Sequence, residues 1–320
     1  MVVTACLALI LSAPVHAFDL QGHRGARGLA PENTLAAFRA ALAIGVTTLE
    51  TDLSLTKDGV LVLTHEPRLS AALTRGPDGT WLKQDGAPFS ELSYEEVERY
   101  DVGRLNAQHD YAARWPEQRP VDGERIPRLT SLFELARERR SPGESLVHFN
   151  IETKVTPGGD FSTAGKVALT QAVIAAVRHA GLADRVTVQS FDWATLVETR
   201  RSAPDIFTSC LSVESTGMNT VRPGQDGASP WHAGLKLSDH GGSVPRLARA
   251  AGCSTWSPFW RNVTQNLVTE AHELGLRVIP WTVNDPAEME RMIELRVDGL
   301  ITDYPDRASR VLAAKGVPIE

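Results

Sequence analysis

The chain has 320 residues, 42% of them hydrophobic and 22% charged, a balance that suits a soluble globular protein and excludes a disordered or coiled-coil chain. That length fills one large domain or two small ones. A net charge of −6, with Lys and Arg dispersed among more numerous acids, excludes a nucleic-acid partner held by its phosphate backbone. An anionic ligand must then be met by a local cluster of cations or by a metal ion.

Residues 1–17 open the chain with an apolar run from Val2 to Leu11, followed by Ser12-Ala13-Pro14-Val15-His16-Ala17. Small residues before a cleavage point after Ala17 fit an export signal, although no Lys or Arg precedes the apolar run. The run is too short to span a bilayer, so no stable membrane insertion is expected. The mature chain, 18–320, is expected in the periplasm or outside the cell. Cys6 leaves with the signal, and the even pair Cys210 and Cys253 permits one disulfide. Disulfide geometry rejects most candidate pairs and buried free cysteines are common, so two unpaired core thiols are expected.

The predicted strands, in chain order, are Asp19 to His23, Thr48 to Leu53, Leu146 to Glu152, Val186 to Ser190, Ile206 to Ser212, Cys253 to Ser257, Val278 to Thr282 and Gly299 to Thr302. Helices are predicted over Glu32 to Ala43, Thr163 to Ala180, Thr264 to Leu274 and Pro286 to Leu295, each marked by a Pro at its start or a Gly at its end. Alternation of this kind predicts a parallel α/β fold, and eight strands suit a TIM-type (β/α)8 barrel. An open doubly wound sheet is the alternative, but it gathers a ligand at one switch point. Here the polar residues of interest fall at strand ends throughout the chain. The segment from Pro67 to Arg125 breaks the rhythm and is too long for a barrel connection. It follows His65 directly, which places it over the mouth. A second long loop, Glu214 to Gly242, carries Trp231, His232 and His240 and is either part of the same rim or a solvated loop.

Within about 45 residues the chain sets His23-Arg24-Gly25, Pro31-Glu32-Asn33-Thr34, Glu50-Thr51-Asp52 and His65-Glu66. Glu50 and Asp52, two apart on a strand, point to one face, and paired carboxylates on one face want a cation. Two imidazoles and a guanidinium beside them form the kit for cleaving a phosphodiester. Asp58-Gly59 between alternating runs predicts a hairpin. A two-residue loop sets Asp52 opposite His65, and a four-residue loop sets Glu50 there instead. An odd loop would need a bulge to bring the imidazole beside the carboxylates.

On these residues, and on Ile151-Glu152-Thr153-Lys154, Gln189-Ser190-Phe191, Trp281-Thr282-Val283-Asn284 and Thr302-Asp303-Tyr304-Pro305, the chain resembles the bacterial glycerophosphodiester phosphodiesterases. The blocks run in order from about residue 18 to the end. One departure is Glu66, where the family more often has Asp. The resemblance implies a barrel with an insertion subdomain, about 67–125, after the hairpin that follows strand 2, and a small-molecule glycerophosphodiester as substrate, split into glycerol 3-phosphate and an alcohol.

Glu50, Asp52 and Glu152 are the expected ligands of one divalent cation, and hard oxygen donors without cysteine suit Ca²⁺ or Mg²⁺. His23 and His65 are the expected general acid and base. Arg24 offers phosphate a planar fork of donors, and Lys154, on the same strand face as Glu152, either reaches a phosphate oxygen or forms a simple ion pair. Trp281 at a strand end stacks on the glycerol moiety or packs on the rim. Gln189 is a supporting hydrogen-bond partner. Asn33 buttresses the site or, with Glu32, starts the helix. The remaining histidines, His232 among them, are read as structural or solvated. Rival readings are a phospholipase D-like or cyclising activity on lysophospholipids, and a non-catalytic binder of phosphorylated ligands. The sequence carries no signal of oligomeric state.

Overall fold

A computed structural model describes residues 17–139, 146–159 and 163–319. The expected export signal, apart from Ala17, lies outside the described residues. The strands are β1 (Asp19–Gly22), β2 (Thr48–Leu55), β3 (Leu61–Leu63), β4 (His148–Thr153), β5 (Val186–Ser190), β6 (Phe207–Ser212), β7 (Thr255–Pro258), β8 (Arg277–Val278) and β9 (Gly299–Thr302). The helices are α1 (Leu35–Ile44), α2 (Tyr94–Val97), α3 (Leu129–Glu138), α4 (Thr163–Ala180), α5 (Trp193–Ser202), α6 (Val244–Ala250), α7 (Gln265–Glu273), α8 (Pro286–Glu294) and α9 (Pro305–Lys315). Their order is that of a (β/α)8 barrel. Parallel ladders run β8-β7-β6-β5-β4-β2-β1-β9, and β3 pairs antiparallel to β2 outside the ring.

The ring closes between β8 and β9 without a regular ladder. Val278 O accepts from Asp298 N, Pro280 O from Ile301 N and Ile301 O from Val283 N, each at 2.9 Å. The strand predicted over Val278 to Thr282 stops at Val278, because Pro280 has no N–H to continue a ladder. The main core is built from the strand residues that face the helices, with Leu20, Leu49, Phe149, Val188 and Leu300 all buried.

The first helix begins at Leu35, three residues later than predicted. Thr34 is the cap, its Oγ1 accepting from Ala37 N, so neither Glu32 nor Asn33 serves a helix end and both are free for the site. In the hairpin, Leu53 pairs with Leu63 and Leu55 with Leu61, while Thr56 N donates to Val60 O. The loop is therefore the three residues Lys57 to Gly59, with Gly59 at φ +80° in the left-handed position that such loops require. This odd loop sets neither Glu50 nor Asp52 opposite His65, against both expected registers. Instead β3 ends, Thr64 N donates to Asp52 O at 3.0 Å, and the chain turns there and carries His65 inward.

Cys210 of β6 and Cys253, at the end of the turn before β7, are disulfide-bonded, with Cα atoms 6.0 Å apart. The expectation of two free thiols is thus corrected. Parallel pairing of β6 with β7 brings the two segments side by side at the separation a disulfide spans. Between His65 and α3, the segment 67–125 builds a small apolar core of its own from Leu69, Phe89 and Val97, rooted on Val62 of β3 and Ile126. Its short helix α2 starts with a capping box between Ser93 and Glu96. No helix among the described residues is long and apolar enough to cross a membrane.

Candidate active site

Register places the three carboxylates. Asp52 of β2 is the direct partner of Glu152 on β4, and Glu152 in turn is the partner of Gln189 on β5. Glu50 lies two residues before Asp52 on the same inward face. One oxygen from each of Glu50, Asp52 and Glu152 falls within 4.8 Å of the others, and all three residues are buried. Gln189 Nε2 donates to Glu50 Oε1 at 2.8 Å, and Asn33 Nδ2 donates to Asp52 Oδ2 at 3.0 Å while its Oδ1 accepts from Thr51. Asn33 therefore buttresses the cluster. Asp52 Oδ1 is buried without a hydrogen bond.

Three buried acids this close cannot all carry charge without a cation. Burial and then Asp52 raise Glu50 well above the usual carboxylate range. Burial, opposed by Lys154 and reinforced by Asp52, pushes Glu152 up to about 7. Burial works the same way on Asp52, but Arg24, followed by His65 and Lys154, outweighs it and holds this carboxyl below its ordinary value. The hard oxygen donors, the orphaned Oδ1 and the raised acids all fit one divalent cation.

His23, one residue past β1, turns Nδ1 to Asp303 Oδ1 at 2.6 Å and has Nε2 3.9 Å from Glu50. Assigning the proton to Nδ1 lets it donate to the carboxylate and leaves Nε2 bare on the cluster side. His65 repeats the arrangement, with Nδ1 2.7 Å from Glu66 and Nε2 2.9 Å from Lys154 Nζ. The family departure at Glu66 thus keeps a carboxylate on the second imidazole. Burial first and Arg27 second push His23 down to about 4, and burial and Arg24 lower His65. Asp303 is itself fixed, its Oδ2 accepting from Asn284 Nδ2 at 2.6 Å.

Arg24 and Gly25 take left-handed backbone at φ 50° and 85°, which turns the chain back over the end of β2. Arg24 N then donates to Glu50 Oε2 at 2.8 Å. A Cβ on Gly25 would lie 2.6 Å from the backbone of Ala37, so only glycine fits. The Arg24 guanidinium is not the open fork expected, because its Nη1 donates to Glu32 at 2.6 Å and its Nε is 3.2 Å from Asp52. Lys154 Nζ lies 2.9 Å from Glu152 and 3.8 Å from Asp52.

His23, Arg24, Glu50, His65, Glu152, Lys154, Gln189 and Trp281 line one cavity of about 170 Å³ at the C-terminal ends of the strands, with Asp52 and Asn33 beneath it. Trp281 is half-buried, its Nε1 donating to Ser257 O at 3.0 Å and its ring edge-on to Phe191 at 5.2 Å. Phe191 also meets Trp231 of the second long loop at 6.3 Å. Sequence reasoning assigned no role in the site to Asp303, Arg27 or Phe191. Asp303 and Phe191 stood in the motif blocks at strand ends, whereas nothing in the pattern marked Arg27.

Fold and site define a barrel hydrolase that handles an anionic ester over a carboxylate cluster. The profile of the Glycerophosphoryl diester phosphodiesterase family matches residues 23–307, and the chain belongs to that family. It is 28% identical over 286 residues to a glycerophosphodiester phosphodiesterase of Caldanaerobacter subterraneus subsp. tengcongensis, covering 89% of this chain and 93% of that one. A second such enzyme, from Bacillus altitudinis, is 29% identical over 90% of this chain and 96% of its own length. Among solved structures, a protein of Silicibacter pomeroyi DSS-3 provisionally described as a glycerophosphoryl diester phosphodiesterase superposes with TM-score 0.83 at 38% identity, covering 96% of this chain and 97% of that one.

Proposed function

We propose that this enzyme hydrolyses glycerophosphodiesters to glycerol 3-phosphate and an alcohol, with Glu50, Asp52 and Glu152 holding one Ca²⁺ or Mg²⁺ and with His23 and His65 moving the protons. The observation that carries this reading is the pair of imidazoles, each with Nδ1 on a carboxylate, in one cavity with Glu50 and Glu152 and with Asp52 beneath. Breaking a P–O bond near neutral pH removes one proton from the attacking oxygen and returns one to the leaving alkoxide. In His23 the bare Nε2 is the atom available for that work, whereas His65 Nε2 sits 2.9 Å from Lys154 Nζ and takes part once that lysine turns to the phosphate. The bound cation supplies positive charge to the phosphodiester and to the charge that develops on it.

Arg24 and Lys154 bring further positive charge to the phosphate, and the apolar faces of Trp281 and Phe191 receive the carbon skeleton. Support for the product comes from an Oleispira antarctica phosphodiesterase of similar fold, 19% identical with TM-score 0.66, solved in complex with sn-glycerol-3-phosphate. We also read the chain as exported. The disulfide, a bond typical of oxidising compartments, supports this, and mass spectrometry of the N-terminus of the protein from its native cells tests it.

Phosphorus NMR of glycerophosphocholine digested with the enzyme and Ca²⁺ or Mg²⁺ tests the reaction. Glycerol 3-phosphate is the expected phosphorus product. Phosphocholine as the sole product would overturn the reading.

A further inference from the structure

The insertion reaches the barrel loop that carries His23 and Arg24. Its turn Ala112–Arg114 is flanked by Tyr111 and Trp115, and both reach Arg27, a buried arginine on the loop between β1 and α1. The Arg27 guanidinium lies over the Trp115 ring at 4.2 Å, and its Nη1 donates to the Tyr111 hydroxyl at 3.4 Å. On its other side, Nε donates to Asp303 Oδ1 at 2.8 Å and Nη2 is 3.1 Å from His23 Nδ1. The Arg27 carbonyl accepts from Gln118 Nε2 at 2.8 Å, so the insertion grips the backbone of the same residue as well.

We propose that Tyr111 and Trp115 are positioning residues, which hold Arg27 against Asp303 and thereby fix the orientation of His23. This rests on the functional reading above. Asp303 Oδ1 receives both the Arg27 Nε–H and the His23 Nδ1–H, so the place of the guanidinium decides where that oxygen meets the imidazole. Trp115 acts through its ring face alone, because its buried Nε1 makes no hydrogen bond. Tyr111 has a second tie: its hydroxyl donates to Glu32, which holds Arg24 at 2.6 Å. A planar, charged guanidinium between an indole face and a carboxylate is a geometry that lysine does not reproduce. Loosening one side lets the other drift, and small misplacement of a proton-transfer group is costly to rate.

The test is a double-mutant cycle on the full-length enzyme with glycerophosphocholine, using Trp115→Leu and Arg27→Lys, with Tyr111→Phe as an independent variant. Trp115→Leu should lower kcat by roughly tenfold while changing KM less than about threefold, and should add less than about twofold in the Arg27→Lys background. Trp81→Phe, elsewhere in the insertion, should leave kcat unchanged. Nitrogen-15 NMR of His23 gives a readout that needs no turnover. The wild type should show one tautomer, protonated at Nδ1, and Trp115→Leu or Tyr111→Phe a mixture. Wild-type kcat and an unmixed His23 signal in both variants would overturn the proposal, as would an equal loss from Trp115→Leu with and without Arg27. An inactive wild type would overturn the functional reading, and the His23 signal would still decide this one.

Discussion

The Nδ1 atom of His23 lies 2.6 Å from Oδ1 of Asp303, a residue that follows the last strand of the barrel while His23 follows the first. The two meet because β1 and β9 are parallel neighbours, Gly22 pairing with Thr302. The imidazole is therefore oriented by the closure of the ring, and a change at Asp303 should be felt in proton transfer before it is felt in folding.

Asp303→Asn keeps the shape and removes the charge that favours the Nδ1–H tautomer. Its kcat should fall by about 10² to 10⁴. Calcium or magnesium affinity, measured by titration calorimetry, should stay within a fewfold of wild type, since Asp303 does not belong to the carboxylate cluster. A loss of metal binding equal to the loss of rate would show that Asp303 acts on the cation site instead.

Glu152→Gln removes one acid from a cluster in which burial and Asp52 raise both Glu50 and Glu152 while Arg24 holds Asp52 down. Metal affinity should drop by about 10- to 100-fold, comparable with the loss of other ligand or near-ligand groups. Rate should recover partly at high metal concentration, and exhaustive chelation should abolish turnover of the unmutated enzyme. Full activity after chelation would refute a metal-dependent reaction.

Gly25→Ala should disable the enzyme although glycine and alanine differ by one methyl group. The new Cβ meets the Ala37 backbone at 2.6 Å and the residue must hold φ +85°. The turn that presents Arg24 N to Glu50 then has to move, and an alanine variant with wild-type kcat and melting temperature would contradict this account.

His232 is buried in the second long loop, stacked on Trp193 at 4.3 Å, with neither ring nitrogen hydrogen-bonded. Burial lowers it from 6.5 to about 4. The unfolded chain therefore binds this proton between those two values while the folded chain does not, so the neutral imidazole's contribution is complete above about pH 6.5 and is lost as pH falls towards 4. The loss amounts to about 1–2 kcal/mol at pH 4.5, after allowance for partial solvation. Urea midpoints for wild type and His232→Phe, compared at pH 7.5 and pH 4.5, should differ between the two proteins mainly at the lower pH. Parallel shifts in both would remove His232 from the acid response.

Short-range patterns were legible in the sequence. Alternation at Glu50 and Asp52, the Asp-Gly pair and the spacing of apolar runs mark the strands, the hairpin and the barrel, because each is a local property of the backbone. What was not legible depends on contacts between distant segments. The register of His65 turned on whether the loop had an even or odd number of residues, and Asp58-Gly59 serves both. Asp303 and Arg27 meet His23 only after the ring has closed and the insertion has docked. Cys210 and Cys253 fall on predicted strands that are neighbours in a parallel barrel, but only the β6–β7 ladder brings their Cα atoms to the 6.0 Å a disulfide spans. Glu32 read equally well as a helix-start residue, and Asn33 somewhat less so, until Thr34 took the capping role.

Seven of the junctions around the barrel are ladders, whereas the eighth, between β8 and β9, is stitched by three single backbone bonds around Pro280. Such a ring breathes first at its stitching, and the amide protons of Val283, Asp298 and Ile301 should exchange with solvent ahead of those in β2 and β4. Trp281 and Asp303 flank that gap at the cavity end. Thermal opening there would part the aromatic wall from the partner of His23 while leaving the acids on β2 and β4 in place, so that heat should silence proton transfer before it releases the ion.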